Sequence, residues 1–431
     1  MPVKCTQAAN GACELICFER PGLTRIQVHM NSTFYPCVRR GLLLFGVLLS
    51  LSASADLASL FTNLNGPQAA ARPRRTSILI IQCDSLGYLD LSCYGQTNFL
   101  TPNIDRLAAA GMLFTNYDAS GAGRRDAQGA LLLGRDPAQP IGTLTPDDLS
   151  LAQMLKASGY HTGLIGQWNF GGPGSGSTPW EKGFNEFAGY FTDAEAENYY
   201  SDFMWRYAPN SVLNTNTHVF ETYIGREPLM GNYGGAKGTY IPDLYTRAAI
   251  KYIRNNTPTA ANHYQPFFLW LDYPTPRPNL AAAQSTGNGL QVPTDAPYSE
   301  EAWPQAERSK AAMITRLDTD IGTLLDYLEK NRLTNNVAVF FSSATVPQKA
   351  GGLDPAFFPS VVSTNDVRLP MIAWWPRHIP AGQVSGYHWT SADFLPTAAR
   401  IAFLEAPTNV AGNSILPVLY GRPLASASAP H

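Results

Sequence analysis

The sequence carries little charge for its length, with 31 Lys and Arg and 33 Asp and Glu among 431 residues. Its formal net charge of −2 leaves no broad basic field, so nucleic-acid binding is excluded as the main function. Internal repeats and long low-complexity tracts are also missing. What remains is a globular composition, 45% hydrophobic, that is able to bury a core.

The beginning of the chain is typical of a targeting segment. Arg39 and Arg40 precede the apolar run 41–51, and Ala53-Ser54-Ala55 follows as a small-x-small cleavage site. The run is short for a membrane span. We therefore predict a signal segment over residues 1–55 and export to the periplasm or the extracellular space. The alternative is an uncleaved membrane anchor.

The remaining boundaries follow changes in composition. Met30 stands where a signal segment normally begins, so residues 1–29 are interpreted as a misassigned upstream start. Residues 56–75 are predicted to be a linker, because prolines and arginines concentrate toward their end. Residues 76–423 are then one domain, and residues 424–431 form a tail.

Cysteine is scarce in the predicted mature chain, because four of the six cysteines precede residue 55. Cys83 and Cys93 are left. In an oxidising compartment they are expected either to form one disulfide or to remain as two buried free thiols.

Continuous apolar runs recur along the domain and are typical of strands buried on both faces of a parallel sheet. They span residues 77–81, 162–165, 267–271, 337–341 and 371–375. Helical segments lie between them: Thr101 and Pro102 begin one, Thr145 and Pro146 begin another, and residues 313–328 place their apolar side chains on one stripe. The alternation predicts an α/β sandwich with a central, mostly parallel sheet flanked by helices, whose ligands bind at the carboxyl ends of the strands.

A series of segments along the domain is recognisable as a set. They are Asp84–Gly95, Thr101–Leu107, Gly111–Asn116, Ala130–Arg135, Gly159–Gly171, Lys182–Phe187, Pro266–Pro278, Arg368–Pro376 and Asp393–Thr397. In this order they resemble the sulfatase family of the alkaline-phosphatase superfamily. The resemblance implies a sulfatase-like fold. Because the chain ends soon after Gly421-Arg422-Pro423, we expect the family's small C-terminal β subdomain to be missing or truncated.

The resemblance also implies a chemistry: calcium held by oxygen ligands, a Cys or Ser converted to formylglycine that attacks sulfur, and Lys and His side chains that bind the sulfate and protonate the leaving alcohol. Of the metal-ligand positions, only Asp84 is retained. Ser85, Ala344 and Thr345 stand at the others. We therefore expect no bound calcium.

The catalytic positions are substituted as well. The family's nucleophile motif falls on Arg124 to Gln128, and the Lys and His of its Gly-Lys-Trp-His segment are replaced by Gln167 and Asn169. The His after the strand 267–271 is Arg277. Neither the nucleophile nor the residues that direct formylglycine formation remain, so no cofactor is expected.

The arginines at these positions allow opposed interpretations. In one interpretation, Arg124 and Arg125 at the start of a helix form an anion site. In the other, they are solvated loop arginines or they pair with Asp118 and Asp126. Arg277 holds an anionic group, or it fills the pocket by pairing with the retained aspartate.

The sequence thus predicts a catalytically inactive sulfatase-family protein that binds sulfated or otherwise anionic glycans through these three arginines, with contact to a membrane only if the leader is uncleaved. One alternative is an active sulfuric or phosphoric ester hydrolase with a rebuilt site. The other is a non-catalytic docking partner of an active homologue.

Overall fold

The computed structural model describes residues 4–7, 13–16, 75–119, 123–215, 219–347, 353, 357–358 and 368–422. The chain divides into two units, residues 1–72 and 73–431. In the first, β1 (Lys4–Gln7) and β2 (Cys13–Ile16) pair antiparallel. The rest of the predicted signal segment lies outside the described residues, as does the linker up to residue 74. No helix within the described ranges has the length and apolar character that a bilayer crossing requires.

The second unit is built on one eleven-stranded sheet. Its strands are β3 (Ser77–Cys83), β4 (Met112–Asp118), β5 (His161–Gln167), β6 (Glu186–Tyr190), β7 (Phe203–Asn214), β8 (Val219–Pro228), β9 (Phe267–Asp272), β10 (Val337–Ser343), β11 (Arg368–Trp374), β12 (Gln383–Ser385) and β13 (Trp389–Thr390). Their order is β12-β4-β11-β10-β3-β9-β5-β6-β7-β8, with β13 also beside β4. The centre from β10 to β6 is parallel. Antiparallel pairs extend it through β11 and β4 on one side and through β7 and β8 on the other, and β12 and β13 pair parallel with β4. The predicted central, mostly parallel sheet is confirmed.

Helices flank this sheet in two groups. They are α1 (Pro102–Ala110), α2 (Arg124–Leu133), α3 (Leu151–Ala157), α4 (Asp193–Ala196), α5 (Ile241–Asn255), α6 (Leu280–Thr286), α7 (Gln305–Lys330), α8 (Phe394–Ile401) and α9 (Leu416–Leu419). Helices α2, α3 and α8 contact one another, and α7 contacts both α1 and α5. Short 3-10 segments occur at Tyr88–Asp90, Ser92–Tyr94, Ala260–Asn262, Thr334–Asn336 and Ser391–Asp393, and Met230–Gly235 contains two such turns separated by a kink.

The core lies on both faces of the sheet. Along β3, the side chains of Ile78 and Ile80 join the apolar cluster that contains α2, α3 and α8, whereas Leu79 and Ile81 join the cluster that contains α1, α5 and α7. Successive strand residues point to opposite faces, so a strand that is apolar at every position must be covered twice. Burying each branched side chain contributes about 2 kcal/mol, which makes the strand a fixed platform for the residues that follow it.

One helix start differs from the prediction. Helix α3 begins after Ser150 and not at Thr145. Ser150 Oγ accepts a hydrogen bond from the Gln153 amide at 3.0 Å, and Gln153 Oε1 accepts one from the Ser150 amide at 2.9 Å, which is a complete capping box. Thr145 instead donates to the Asp148 carboxylate, which ties up the preceding turn.

The two cysteines of this unit are free thiols, Cys83 buried and Cys93 half-buried. Of the two alternatives drawn from the sequence, the disulfide is therefore not the one that the structure shows.

Candidate functional site

Polar side chains meet where the central strands end. Asp272 is the last residue of β9, and it pairs in register with Gln82 of β3 and with Gly166 of β5. Asp84 follows β3, and Gln167 ends β5. Because these strands are parallel neighbours, the three side chains share one edge of the sheet, the edge at which such folds bind ligands.

The guanidinium group of Arg124 lies between the two carboxylates. Arg124 is the first residue of α2 and is only 5% exposed, while Asp84 and Asp272 are fully buried. One terminal nitrogen of Arg124 contacts Asp84 Oδ2 and the other contacts Asp272 Oδ2. The planar fork of arginine can bridge two acceptors in this way, which a lysine ammonium on its flexible stem does less well. The pairing with Asp118 or Asp126 that the sequence suggested is therefore wrong for Arg124.

Besides Arg124, the hydrogen-bond donors that reach Asp272 in the described part of the chain are neutral amides. Gln128, one turn along α2, donates from Nε2 to Asp272 Oδ2 at 2.8 Å, and the Gln167 amide reaches the same oxygen at 3.3 Å. Gln128 is itself fully buried. Gln128 thus helps to hold the Asp272 carboxylate in place.

Arg277 closes the other side of Asp84. Its Nη1 is 3.1 Å from Asp84 Oδ2 and 3.2 Å from Asp193 Oδ1, and its Nη2 is 2.7 Å from Glu197 Oε1. The loop that carries it is fixed because Tyr199 donates to the Arg277 carbonyl at 2.6 Å. Of the two interpretations of Arg277, the structure shows the pairing with Asp84.

Ser85 and Thr345 hold the second oxygen of Asp84. Ser85 Oγ donates to Asp84 Oδ1 at 3.3 Å, Thr345 Oγ1 donates to the same atom, and the Ser85 amide donates to Thr345 Oγ1 at 3.0 Å. Ala344 is buried and offers no side-chain ligand. Asp84 is therefore saturated by protein donors on both oxygens.

The two buried carboxyls differ in their proton affinity. Burial would raise the pKa of Asp84, but Arg124 and Arg277 together with Thr345 lower it below its ordinary value. For Asp272 burial prevails over the attraction of Arg124 and raises the pKa to about 6. The difference has a simple cause, because two guanidinium groups contact Asp84 and only one contacts Asp272.

Gln167 and Asn169 form a small amide cluster at the edge of this network. Gln167 donates to Asn169 Oδ1 at 2.6 Å and also to Asp193, which accepts from Asn169 at 3.5 Å as well. The Asp193 side chain is 53% exposed. The amide cluster therefore connects the buried centre with solvent.

Arg125 points away from the centre. Its Nη2 donates to the Gly142 carbonyl at 2.9 Å, and its guanidinium lies 5.8 Å from the ring centroid of Phe170. It lines a cleft of about 530 Å³ together with Asn169, Glu195 and Trp205. The three arginines thus do not converge: Arg124 and Arg277 meet at Asp84, and Arg125 faces the cleft.

These residues do not fit a calcium site of the sulfatase kind. A hard dication needs several free oxygen ligands, whereas Asp84 is occupied by hydrogen bonds and two guanidinium groups, which would repel a metal ion. Within the described ranges, no group of three or more His, Cys, Asp and Glu side chains is arranged to hold a metal.

Sequence reasoning missed Asp272, Asp193 and Glu197. Asp272 had a visible signal, since an acid that ends a fully apolar strand must find a partner when the strand is buried. Asp193 and Glu197 had no such signal. They lie in and directly after the short helix α4, whose sequence does not indicate where the helix packs relative to the sheet.

The matching family model and the related sequence both concern sulfatases. The family model described as Sulfatase matches residues 76–402. The N-acetylgalactosamine-6-sulfatase of Rattus norvegicus is 27% identical over 383 residues, which cover 82% of this chain and 67% of that protein.

Solved structures share the fold. Ps i-CgsB, solved with k-i-k-neocarrahexaose, gives a TM-score of 0.61 at 22% identity, over 80% of this chain and 76% of its own. A protein solved with its substrate D-glucosamine-2-N,6-O-disulfate gives a TM-score of 0.58 at 20% identity, over 82% of both chains. At these identities the likeness extends to the fold alone.

Proposed function

The chain belongs to the sulfatase family, and from this membership we propose that it is a catalytically silent member whose remaining role is the non-catalytic binding of anionic glycans. One observation carries the proposal. Arg124, at the position where the family has its nucleophile, is buried between Asp84 and Asp272. A buried guanidinium held by two carboxylates is no nucleophile, and it fills the space that a sulfate group would need.

The rest of the centre supports the same conclusion. Gln167 and Asn169 are neutral amides that bond to each other and to Asp193, so they supply no cation for a sulfate oxygen and no titratable acid. Arg277 is paired with three carboxylates. The proposal includes folding without calcium or formylglycine and export through the predicted signal segment.

We expect no hydrolysis of a generic aryl sulfate or aryl phosphate above the rate in buffer. Loss of a nucleophile typically costs about a million-fold in kcat, and no side chain in the centre replaces it. The measurement is release of the phenol with the purified chain at several pH values. Turnover that co-elutes with the protein through two different columns and scales with its amount would instead support the alternative of a hydrolase with a rebuilt site.

Arg125 and the cleft of about 530 Å³ are the surface on which we place the glycan. Of the three arginines named from the sequence, Arg125 is the one without a carboxylate contact in the described structure. The cleft also contains Asn169 and the half-buried Trp205, an aromatic side chain of the kind that stacks on sugars.

An Arg125→Ala variant should bind sulfated oligosaccharides about tenfold more weakly than the parent, because one charge-assisted hydrogen bond is worth about 1.5 kcal/mol. The parent's affinity should fall as salt rises. Calorimetric titration at low and high ionic strength provides the measurement. Arg106→Ala is the matched control, since Arg106 pairs with Asp326 on the surface of α7. Equal binding by the parent and Arg125→Ala would mean that the glycan does not bind in this cleft.

If sulfated oligosaccharides do not bind at all, that result favours the alternative of a non-catalytic docking partner of an active homologue. One feature favours it: Phe220 and Ile224 of β8 are 57% and 51% accessible, and residues four apart on a strand lie on the same face. Exposed apolar side chains on one face are a mark of protein contact surfaces.

A further inference from the structure

The centre holds two acidic groups around one guanidinium. Asp84 follows β3 and Asp272 ends the neighbouring strand β9, both are fully buried, and Arg124 is the cation that they share. Two carboxylates this close in a dry environment cannot both remain charged without a counter-charge. In a metalloprotein, that counter-charge is an ion taken from solution.

Among the described residues, Arg124 is the one cation that contacts Asp272. Asp84 has Arg277 as a second partner, but the other contacts of Asp272 Oδ2 come from the neutral donors Gln128 and Gln167. Two more acceptors of the cluster, Asp272 Oδ1 and Gln128 Oε1, are buried and have no hydrogen-bond partner in the described structure. Without Arg124, the space would therefore be bordered by the two carboxylates and by the Gln128 amide, with Arg277 as the one remaining cation on the side of Asp84.

We propose that Arg124 is a tethered cation: its guanidinium takes the place of a bound ion between Asp84 and Asp272, and truncating the side chain turns that space into a cation-binding site. The chain has exchanged an ion that can dissociate for one that is fixed by a covalent bond. The parent is therefore indifferent to calcium, and its two acids stay neutralised in any compartment. This inference concerns the chain's own charges and is independent of any glycan.

Chemical rescue tests the proposal. We would record melting temperatures of the parent and of Arg124→Ala in 0 to 20 mM calcium chloride and, separately, guanidinium chloride, with sodium chloride balancing the ionic strength. Arg124→Ala should melt about 5 to 10 °C below the parent, because a buried charge pair has lost one partner. Either cation should return several degrees of that loss, whereas the parent should not respond.

Two further variants make the result specific. Arg124→Ala combined with Asp272→Asn removes one oxygen ligand and its charge, so its response to calcium should fall at least tenfold in apparent affinity. Arg106→Ala loses a surface ion pair with Asp326 and should show no cation response.

Two outcomes would overturn the proposal: a calcium-dependent rise in the parent's melting temperature, or an Arg124→Ala protein that folds and gains nothing from either cation. If Arg124→Ala does not fold, Arg124→Lys is compared with the parent instead. A lysine keeps one charge in the same space but bridges two acids less well than arginine, so this variant should melt below the parent and respond to neither cation. A calcium-dependent rise in its melting temperature would then also overturn the proposal. An Arg124→Ala protein that gains nothing from either cation contradicts this inference alone and leaves the turnover and glycan experiments unaffected, so its failure can be told apart from that of the proposed function.

Discussion

Replacing Asp84 with alanine should lower the free energy of unfolding by about 3 to 5 kcal/mol, the cost of removing one partner from a buried ion pair. Arg124 and Arg277 both contact Asp84 Oδ2, and Arg124 has only Asp272 left when this oxygen is gone. The lost energy is mainly that of guanidinium charge held away from water without an acceptor. Urea denaturation of the parent and the variant gives the difference.

Asp193→Ala is the matched control for that experiment. Asp193 accepts from the same Nη1 of Arg277 at 3.2 Å, but its side chain is 53% exposed. Water can replace it, so the loss should stay below about 1 kcal/mol. Equal losses in the two variants would mean that the Asp84 network is solvated and that the description of a closed centre is wrong.

The sheet could be predicted from the sequence because its signal is local. A strand such as Ser77–Cys83 is apolar at every position, and that pattern has few structural solutions other than a strand covered on both faces. The start of α3 was misplaced for an equally local reason. Thr145-Pro146 and Ser150 both precede helix-forming residues, and only the reciprocal bonds between Ser150 and Gln153 decide between them.

The candidate site could be predicted only in part. The resemblance identified Asp84, Arg124 and Arg277 as substituted or retained positions, and the pairing of Arg277 with Asp84 was one of the two alternatives. Asp272, one of the two partners of Arg124, was not found, because it lies 148 residues away along the chain and reaches Arg124 only through the register of β9 with β3 and β5. Ion pairs in a parallel sheet are set by crossover connections, and nothing in a local pattern states which strands become neighbours.

That register depends on a close approach of backbones beside the site. Gly166 has φ at +133°, and a Cβ atom at this position would collide with the Asp272 carbonyl oxygen and lie 2.7 Å from Asp272 Cβ. Asp272 is the acid that Arg124 and Gln128 hold. A side chain at residue 166 would therefore push β5 away from β9 and displace the charge network together with the strand.

Gly166→Ala is accordingly expected to lose about 3 kcal/mol or more of unfolding free energy, the sum of an unfavourable backbone conformation and a collision that only strand movement relieves. Gly176→Ala separates these two causes. Gly176 also has a positive φ, +76°, but no atom lies within 4 Å of its added Cβ, so that variant should lose only about 1 to 2 kcal/mol from the backbone conformation. Urea denaturation of both variants measures the difference, and a loss at Gly166 no larger than at Gly176 would show that β5 can shift without cost. In that case the position of Asp272 would not depend on this close packing, and the fixed geometry assigned to the Arg124 bridge would need another support.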